Sequence, residues 1–281
     1  MKIKTVGVVG CGVMGSEYVQ VCAQKGYAVS VAEATDKLLK KGIALVESRL
    51  AESVSKGELT PKDKRSILAR IKGTASLEEL SICDLVIEAV TENMDLKKKI
   101  FARLDIICPK HTILATNTSV LSIIEMANST RRPDKVLGIH GSPLHVPISE
   151  MIKTLATSDE TLEISQEFVR SLGLSFIVVP DVPGFMTNRV WQPFLLSAVR
   201  VLEAGISTRD EIDNFFKKGF GLPVGPLEAI DRGGLDTVLL ANSAMYEELK
   251  DPTYAPPVLL KKMVAAGWLG CKTGKGFYEY Q

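Results

Sequence analysis

The sequence predicts an α/β chain: a doubly wound, mainly parallel sheet over residues 1–181 and a second, all-α domain over residues 182–281. Two observations carry this reading. Short valine-rich runs alternate with longer amphipathic stretches up to residue 180, the pattern of a parallel sheet covered on both faces. After Pro180-Asp181-Val182-Pro183-Gly184 no convincing strand remains, and helical periodicity broken by Gly/Pro turns takes over.

Taken in order, residues 3–9 read as a buried strand and 12–25 as a helix. Residues 28–33 give a second strand, and 37–55 and 61–71 have helical spacing. A third strand at 85–89 precedes a charged helix at 95–107, and further strands are expected at 112–115, 135–140 and 175–179. The segment 159–172 reads as a helix before the last of these. In the second domain the expected helices cover 192–204, 208–216, 235–249 and 257–266.

Composition excludes several classes. With 34 Lys plus Arg against 33 Asp plus Glu, the net charge of +1 gives no reason to expect nucleic acid or an anionic membrane as partner. No apolar run approaches the length of a transmembrane helix. The Gly- and Val-rich residues 3–9 suit a strand better than a signal-peptide core. The five cysteines (Cys11, Cys22, Cys83, Cys108, Cys271) contain no C-x-x-C pair and are odd in number. No metal site and no disulfide framework is expected, and reduced thiols in a cytoplasmic protein are.

Gly10-Cys11-Gly12-Val13-Met14-Gly15 is a G-x-G-x-x-G loop between a strand and a helix. In that setting the first glycine allows a tight turn, the second lets backbone N–H groups approach a pyrophosphate, and the third permits close helix–strand packing. The helix start, with Val13 and Met14, offers unpaired donors and a positive dipole end to phosphates. Glu33 ends the next strand, 23 positions after Gly10. A carboxylate there can accept from both ribose hydroxyls and repels a 2′-phosphate, which favours NAD. Lys37, Lys40 and Lys41 keep NADP open. The sheet is therefore expected to be of Rossmann type.

Of three histidines, His111 and His145 read as solvated or surface residues. His140 differs, because it closes the apolar run 136–139 at the carboxyl end of a strand, where open α/β sheets bind ligands. Glu150 follows past Pro143 and Pro147, and a loop of that length can return a carboxylate to the imidazole. Such a pair has the form of a general base and its orienter.

The chain resembles the short-chain L-3-hydroxyacyl-CoA dehydrogenases, including bacterial 3-hydroxybutyryl-CoA dehydrogenases, over essentially its whole length. The markers are the Gly10 loop, Val86-Ile87-Glu88-Ala89-Val90-Thr91-Glu92-Asn93, Ala115-Thr116-Asn117-Thr118-Ser119, Pro183-Gly184-Phe185-Met186-Thr187-Asn188-Arg189, Gly225-Pro226-Leu227-Glu228, and the tail from Gly267 to Tyr278. The resemblance implies an NAD-dependent oxidoreductase of fatty-acid metabolism that interconverts a 3-hydroxyacyl-CoA and its 3-ketoacyl-CoA. It implies His140 as base, Glu150 as its orienting carboxylate, Ser119 at the reacting oxygen and Asn188 at the substrate carbonyl. It places Ala89, Glu92, Lys97, Asn117 and Lys272 at the NAD, and it implies a homodimer formed through the helical domain.

Some stretches depart from the family. Where the family reads His-Phe-Phe-Asn-Pro, this chain reads His140-Gly141-Ser142-Pro143, and the stretch to Glu150 is shorter. Ser142 stands where an Asn would contact cofactor or substrate. The segment that meets CoA has Ala51 in place of a Ser and only Lys56 as a basic candidate. These changes keep two alternatives open: a dehydrogenase of a free polar β-hydroxy acid, carnitine- or gulonate-like and anchored by Arg189 or Lys153, and a non-catalytic NAD-binding protein.

Overall fold

The computed structural model describes residues 2–280 and divides them between Asp181 and Val182 into two compact units. The first unit is built on eight strands: β1 (Thr5–Val9), β2 (Ala28–Ala32), β3 (Ile71–Thr74), β4 (Leu85–Glu88), β5 (Ile113–Thr116), β6 (Val136–His140), β7 (Ile148–Lys153) and β8 (Ser175–Pro180). Their order is β3-β2-β1-β4-β5-β6-β7-β8. Every neighbouring pair is parallel except β6 with β7. The chain winds outward from β1 in both directions, so the β1/β4 junction is the switch point at which such sheets open a crevice. Six helices complete the unit: α1 (Val13–Gln24), α2 (Asp36–Ser55), α3 (Pro61–Leu68), α4 (Met94–Ile107), α5 (Ile123–Ala127) and α6 (Asp159–Ser171).

The central strands are apolar on both faces, as burial on both sides requires. Val6, Val8, Val29, Val31, Leu85 and Ile87 are all buried, with Tyr18 of α1 and Leu50 of α2 packed among them. Side-chain caps start most helices: Thr35 for α2, a Thr60/Asp63 capping box for α3, Asn93 for α4 and Ser158 for α6. At α1 the N-cap is Gly12, and no side chain caps it.

Two strands differ from expectation. The helix expected over 61–71 stops at Leu68, and the next residues form edge strand β3. Its partial exposure explains the weak apolar signal. Residues 148–153, expected as loop, form β7. There Ser149 and Glu150 are buried beside Met151 and Ile152, so no apolar/polar alternation marks the strand.

The second unit is helical: α7 (Thr187–Glu203), α8 (Arg209–Phe220), α9 (Pro226–Gly233), α10 (Leu235–Leu249) and α11 (Val258–Ala265). Leu195, Leu196, Val199, Leu227, Ile230 and Leu260 form its core. α7 starts earlier than expected and runs through Pro193. An interior proline releases the carbonyl one turn back, and here the Tyr254 hydroxyl donates to the Arg189 carbonyl at 3.4 Å. Buried Asp213 accepts from the N–H groups of Leu227 and Glu228 and so starts α9, where the sequence shows only turn signals. Buried Asp231 likewise holds the tail through the N–H groups of Phe277 and Tyr278. No helix among the described residues is long and apolar enough to cross a membrane.

Candidate active site

The glycine loop closes around the end of β1. Gly10 has φ +88°, and a Cβ there would come within 2.8 Å of the Ala89 carbonyl oxygen. A Cβ on Gly15 would lie 1.8 Å from the Gly10 carbonyl oxygen. Gly12 has open space where its Cβ would be, so a ligand can approach the main chain there. Behind it stand the uncapped N–H groups of α1, with Val13 exposed. Glu33 lies just past β2, where its Oε1 accepts from the Cys11 N–H at 2.5 Å. Burial, reinforced by the Glu33 charge, pushes the Cys11 thiol up to about 12.

A groove of about 450 Å³ runs from Gly10 and Gly12 past Glu33 to Leu38, Leu77 and Leu96. It offers an apolar slot, a carboxylate at its rim and a helix N-terminus at its mouth. This donor set fits a dinucleotide, with adenosine in the slot, ribose at Glu33 and pyrophosphate at the helix. The exposed Lys37, Lys40 and Lys41 lie on α2 beyond it.

His140 and Glu150 are brought together at the far side of the switch point. They are register partners across β6 and β7, and His140 Nδ1 lies 2.7 Å from Glu150 Oε2. Glu150 is buried and His140 half-buried. The carboxylate therefore reaches the imidazole from a strand and not from the loop the sequence suggested. An ionised carboxylate only accepts, so the contact puts the imidazole proton on Nδ1 and the lone pair on Nε2.

Two groups grip the main chain on either side of His140. The Tyr18 hydroxyl donates to the Ile139 carbonyl at 3.1 Å, and Asn117 Nδ2 donates to the same oxygen at 2.7 Å. Both also reach the Gly141 carbonyl, at 3.3 Å. Asn117 is thus occupied in holding the strand end. Nothing in the local sequence marked Tyr18, because it sits on the core face of α1, where a ring reads as packing.

Ser119 is held through its backbone. Its N–H donates to Glu92 Oε1 at 2.7 Å, while the Thr118 hydroxyl donates to both oxygens of the same carboxylate. Glu92 is steadied by Lys97 Nζ at 3.3 Å, and Lys97 pairs with Glu88 at 2.7 Å. Lys97 and Glu88 are almost wholly buried, with side chains 1% and 0% exposed. Glu88 also accepts from the Thr116 hydroxyl and the Val90 N–H, each at 2.7 Å. The resemblance pointed to Glu92 and Lys97 but not to Glu88, which stands inside an apolar strand.

Ser142 faces the interior, and its hydroxyl donates to Glu17 Oε2 at 2.6 Å. The other oxygen of Glu17 lies 3.5 Å from His145 Nε2. Glu17 is buried on α1 and was not anticipated. Lys56 ends α2 in an exposed pair with Glu52.

In the helical unit, Asn188 is buried in the first turn of α7 and accepts from Gln192 Nε2 at 3.3 Å. Lys272 Nζ is bound by Asp236 at 2.8 Å and by the Thr237 hydroxyl at 2.9 Å. Among the described residues no group of His, Cys, Asp and Glu is arranged to hold a metal ion.

Comparison with known proteins covers both units. Residues 5–182 match the family model "3-hydroxyacyl-CoA dehydrogenase, NAD binding domain", and residues 184–280 match "3-hydroxyacyl-CoA dehydrogenase, C-terminal domain". A probable 3-hydroxybutyryl-CoA dehydrogenase of Bacillus subtilis is 40% identical over 283 residues, covering 100% of this chain and 99% of that protein. The crystal structure of FadB2 from M. tuberculosis superposes with a TM-score of 0.97 at 39% identity, covering 100% of each chain. That of (S)-3-hydroxybutyryl-CoA dehydrogenase from Ralstonia eutropha gives 0.93 at 42% identity, again over 100% of each chain.

Proposed function

The chain belongs to the 3-hydroxyacyl-CoA dehydrogenase family, and we propose that it interconverts a short-chain, 3-hydroxybutyryl-CoA-like substrate and the 3-ketoacyl-CoA in an NAD-dependent reaction. The observation that carries the chemistry is the 2.7 Å contact of His140 Nδ1 with Glu150 at the carboxyl edge of the sheet.

NAD, when bound, supplies the acceptor for the hydride that leaves the hydroxyl-bearing carbon. The groove lined by Gly10, Gly12 and Glu33 would hold it, with Val13, Met14 and Gly15 continuing the loop into the start of α1 and Ala89 as the close-packed wall behind Gly10. Lys97 contributes through Glu92, because its own ammonium is spent in the interior. Ser142 and Lys272, both expected at the cofactor, spend their side chains inside their own units, Ser142 on Glu17 and Lys272 on Asp236 and Thr237, and Lys56 is the candidate for a CoA phosphate. His140 Nε2 takes the hydroxyl proton as hydride departs, and Glu150 stabilises the imidazolium that results. In the reverse direction the same imidazolium donates to the ketone oxygen. Ser119 and Asn188 hold the reacting oxygen and the substrate carbonyl.

Residues 1–181 serve as the NAD-binding domain. Residues 182–281 serve as the helical substrate and dimerisation domain and pair two copies in a cytoplasmic homodimer, a reading that the exposed rings of Phe215 and Phe220 support. Light scattering after gel filtration tests the pairing.

The loop after His140, without the family's aromatic pair, keeps a free β-hydroxy acid as the second reading. Against it, Lys153, one of the two candidate anchors for a free carboxylate, is paired with Asp159 at 2.5 Å. A panel of 3-hydroxyacyl-CoA esters and free β-hydroxy acids, each with NAD and followed by NADH absorbance, tests the proposal. Turnover of short-chain CoA esters is expected. Turnover of free acids alone overturns the substrate class, and NADH binding without any turnover overturns the enzyme reading.

A further inference from the structure

Three buried amides in the helical unit form a chain. Asn242 on α10 is fully buried, and Gln192 and Asn188, one turn apart on α7, are nearly so. Asn242 Nδ2 donates to the Val238 carbonyl at 2.8 Å and to Gln192 Oε1 at 2.7 Å. Gln192 Nε2 then donates to Asn188 Oδ1 at 3.3 Å.

The first partner in this chain has no choice of role. A backbone carbonyl only accepts, so Asn242 must turn its NH2 toward Val238. The second N–H of that group reaches Gln192, which must answer with its oxygen and send its own NH2 back along α7. Asn188 must in turn meet Gln192 with its oxygen. Reversing the whole chain would press the Asn242 oxygen against the Val238 oxygen in a dry interior, where two acceptors repel. The cost of the observed polarity is visible: the buried Asn242 Oδ1 has no hydrogen-bond partner.

We propose that Gln192 and Asn242 are positioning residues that set the direction of the Asn188 side-chain amide, so that it offers N–H and not oxygen to the substrate. A ketone or thioester oxygen accepts only, so an amide oxygen turned toward it would repel it. The relay keeps the donor aimed without the substrate having to rotate it. This inference rests on Asn188 meeting substrate, as proposed above.

The test uses the full-length enzyme with acetoacetyl-CoA and NADH. Gln192→Glu keeps the side-chain shape and still accepts from Asn242, but it has no donor for Asn188 and invites the Asn188 NH2 to turn inward. It is expected to lower kcat/KM for acetoacetyl-CoA by about 10- to 100-fold, with KM for NADH changed less than about twofold. Gln192→Met and Asn242→Leu leave the amide unaimed rather than reversed, and each is expected to cost less, about 3- to 10-fold. They also carry the test if the buried charge of Q192E prevents folding. Asn188→Ala should cost at least as much as Q192E, and adding Q192E to it should cost nothing more. If N188A is impaired while the Gln192 and Asn242 variants stay within twofold of the parent, or if the losses multiply, the relay is overturned alone. If N188A itself turns over like the parent, both the relay and the Asn188 assignment fall.

Discussion

His140 and Glu150 are opposite one another in an antiparallel ladder, with Nδ1 and Oε2 2.7 Å apart. Because β6 and β7 are hydrogen-bonded neighbours, the pair is set by strand register and not by the conformation of the loop between them. Truncating His140→Ala is expected to lower kcat by about 10²- to 10⁴-fold. Glu150→Gln, which keeps the shape and removes the charge that stabilises the imidazolium, should cost roughly 10²-fold. NADH affinity, read by fluorescence titration, should change little in either. A His140→Ala enzyme within a few-fold of the parent would remove the imidazole from the chemistry.

Lys97 and Glu88 form a buried ion pair with 1% and 0% exposure. Taking away one partner strands the other charge, a loss of about 3–5 kcal/mol. Lys97→Met should therefore lower the urea midpoint sharply, and Lys97→Met combined with Glu88→Gln should recover part of that loss. Through Glu92 the same substitution loosens the Ser119 turn, so kcat should fall together with stability. A loss in the double variant equal to the sum of the Lys97→Met and Glu88→Gln losses would show that the two charges are not coupled.

What was legible in the sequence follows from locality. The glycine loop, Glu33 and His140 each stand at the end of an apolar run, and a strand end is a local signal. β3 and β7 were missed because neither alternates cleanly: one is a half-exposed edge and the other buries Ser149 and Glu150 among apolar neighbours. Glu17, Tyr18, Glu88, Gln192 and Asn242 were missed for a different reason. Each is a polar group inside an element whose pattern reads as core. The partners of Tyr18 and Glu17 lie more than a hundred positions away: Ile139 is 121 residues from Tyr18, and Ser142 is 125 residues from Glu17. No spacing rule joins positions that far apart; only the sheet order does.

Asp84 supplies a pH dependence. Burial pushes its carboxyl up, but hydrogen bonds from the N–H groups of Lys4 and Thr5, the Thr5 hydroxyl and the His111 ring outweigh it and hold the group below the usual carboxylate range. A depressed folded value means that the unfolded chain binds the proton more readily. The stabilisation is therefore complete above the unfolded value of about 3.9 and is lost as pH falls through the lower folded value. Urea melts between pH 3 and 6 should show an acid limb that flattens in Asp84→Asn. An unchanged limb would assign acid sensitivity to other carboxylates.

The Ser142 hydroxyl has two competing uses. By its place after His140 it is expected at the cofactor, yet it donates to buried Glu17 at 2.6 Å. Removing a donor from a buried carboxylate leaves that charge underpaired, which costs about 1–3 kcal/mol. The remaining partner, His145, is farther off at 3.5 Å, and its side chain is 71% exposed. Ser142→Ala should therefore lower the melting temperature, while the NADH dissociation constant stays within about twofold, because the hydroxyl was already committed to Glu17. Glu17→Gln keeps an oxygen for Ser142 and sheds the buried charge, so it should cost less stability than Ser142→Ala. The opposite pattern, an unchanged melting temperature with a tenfold weaker NADH complex, would mean that Ser142 releases Glu17 to hold the cofactor.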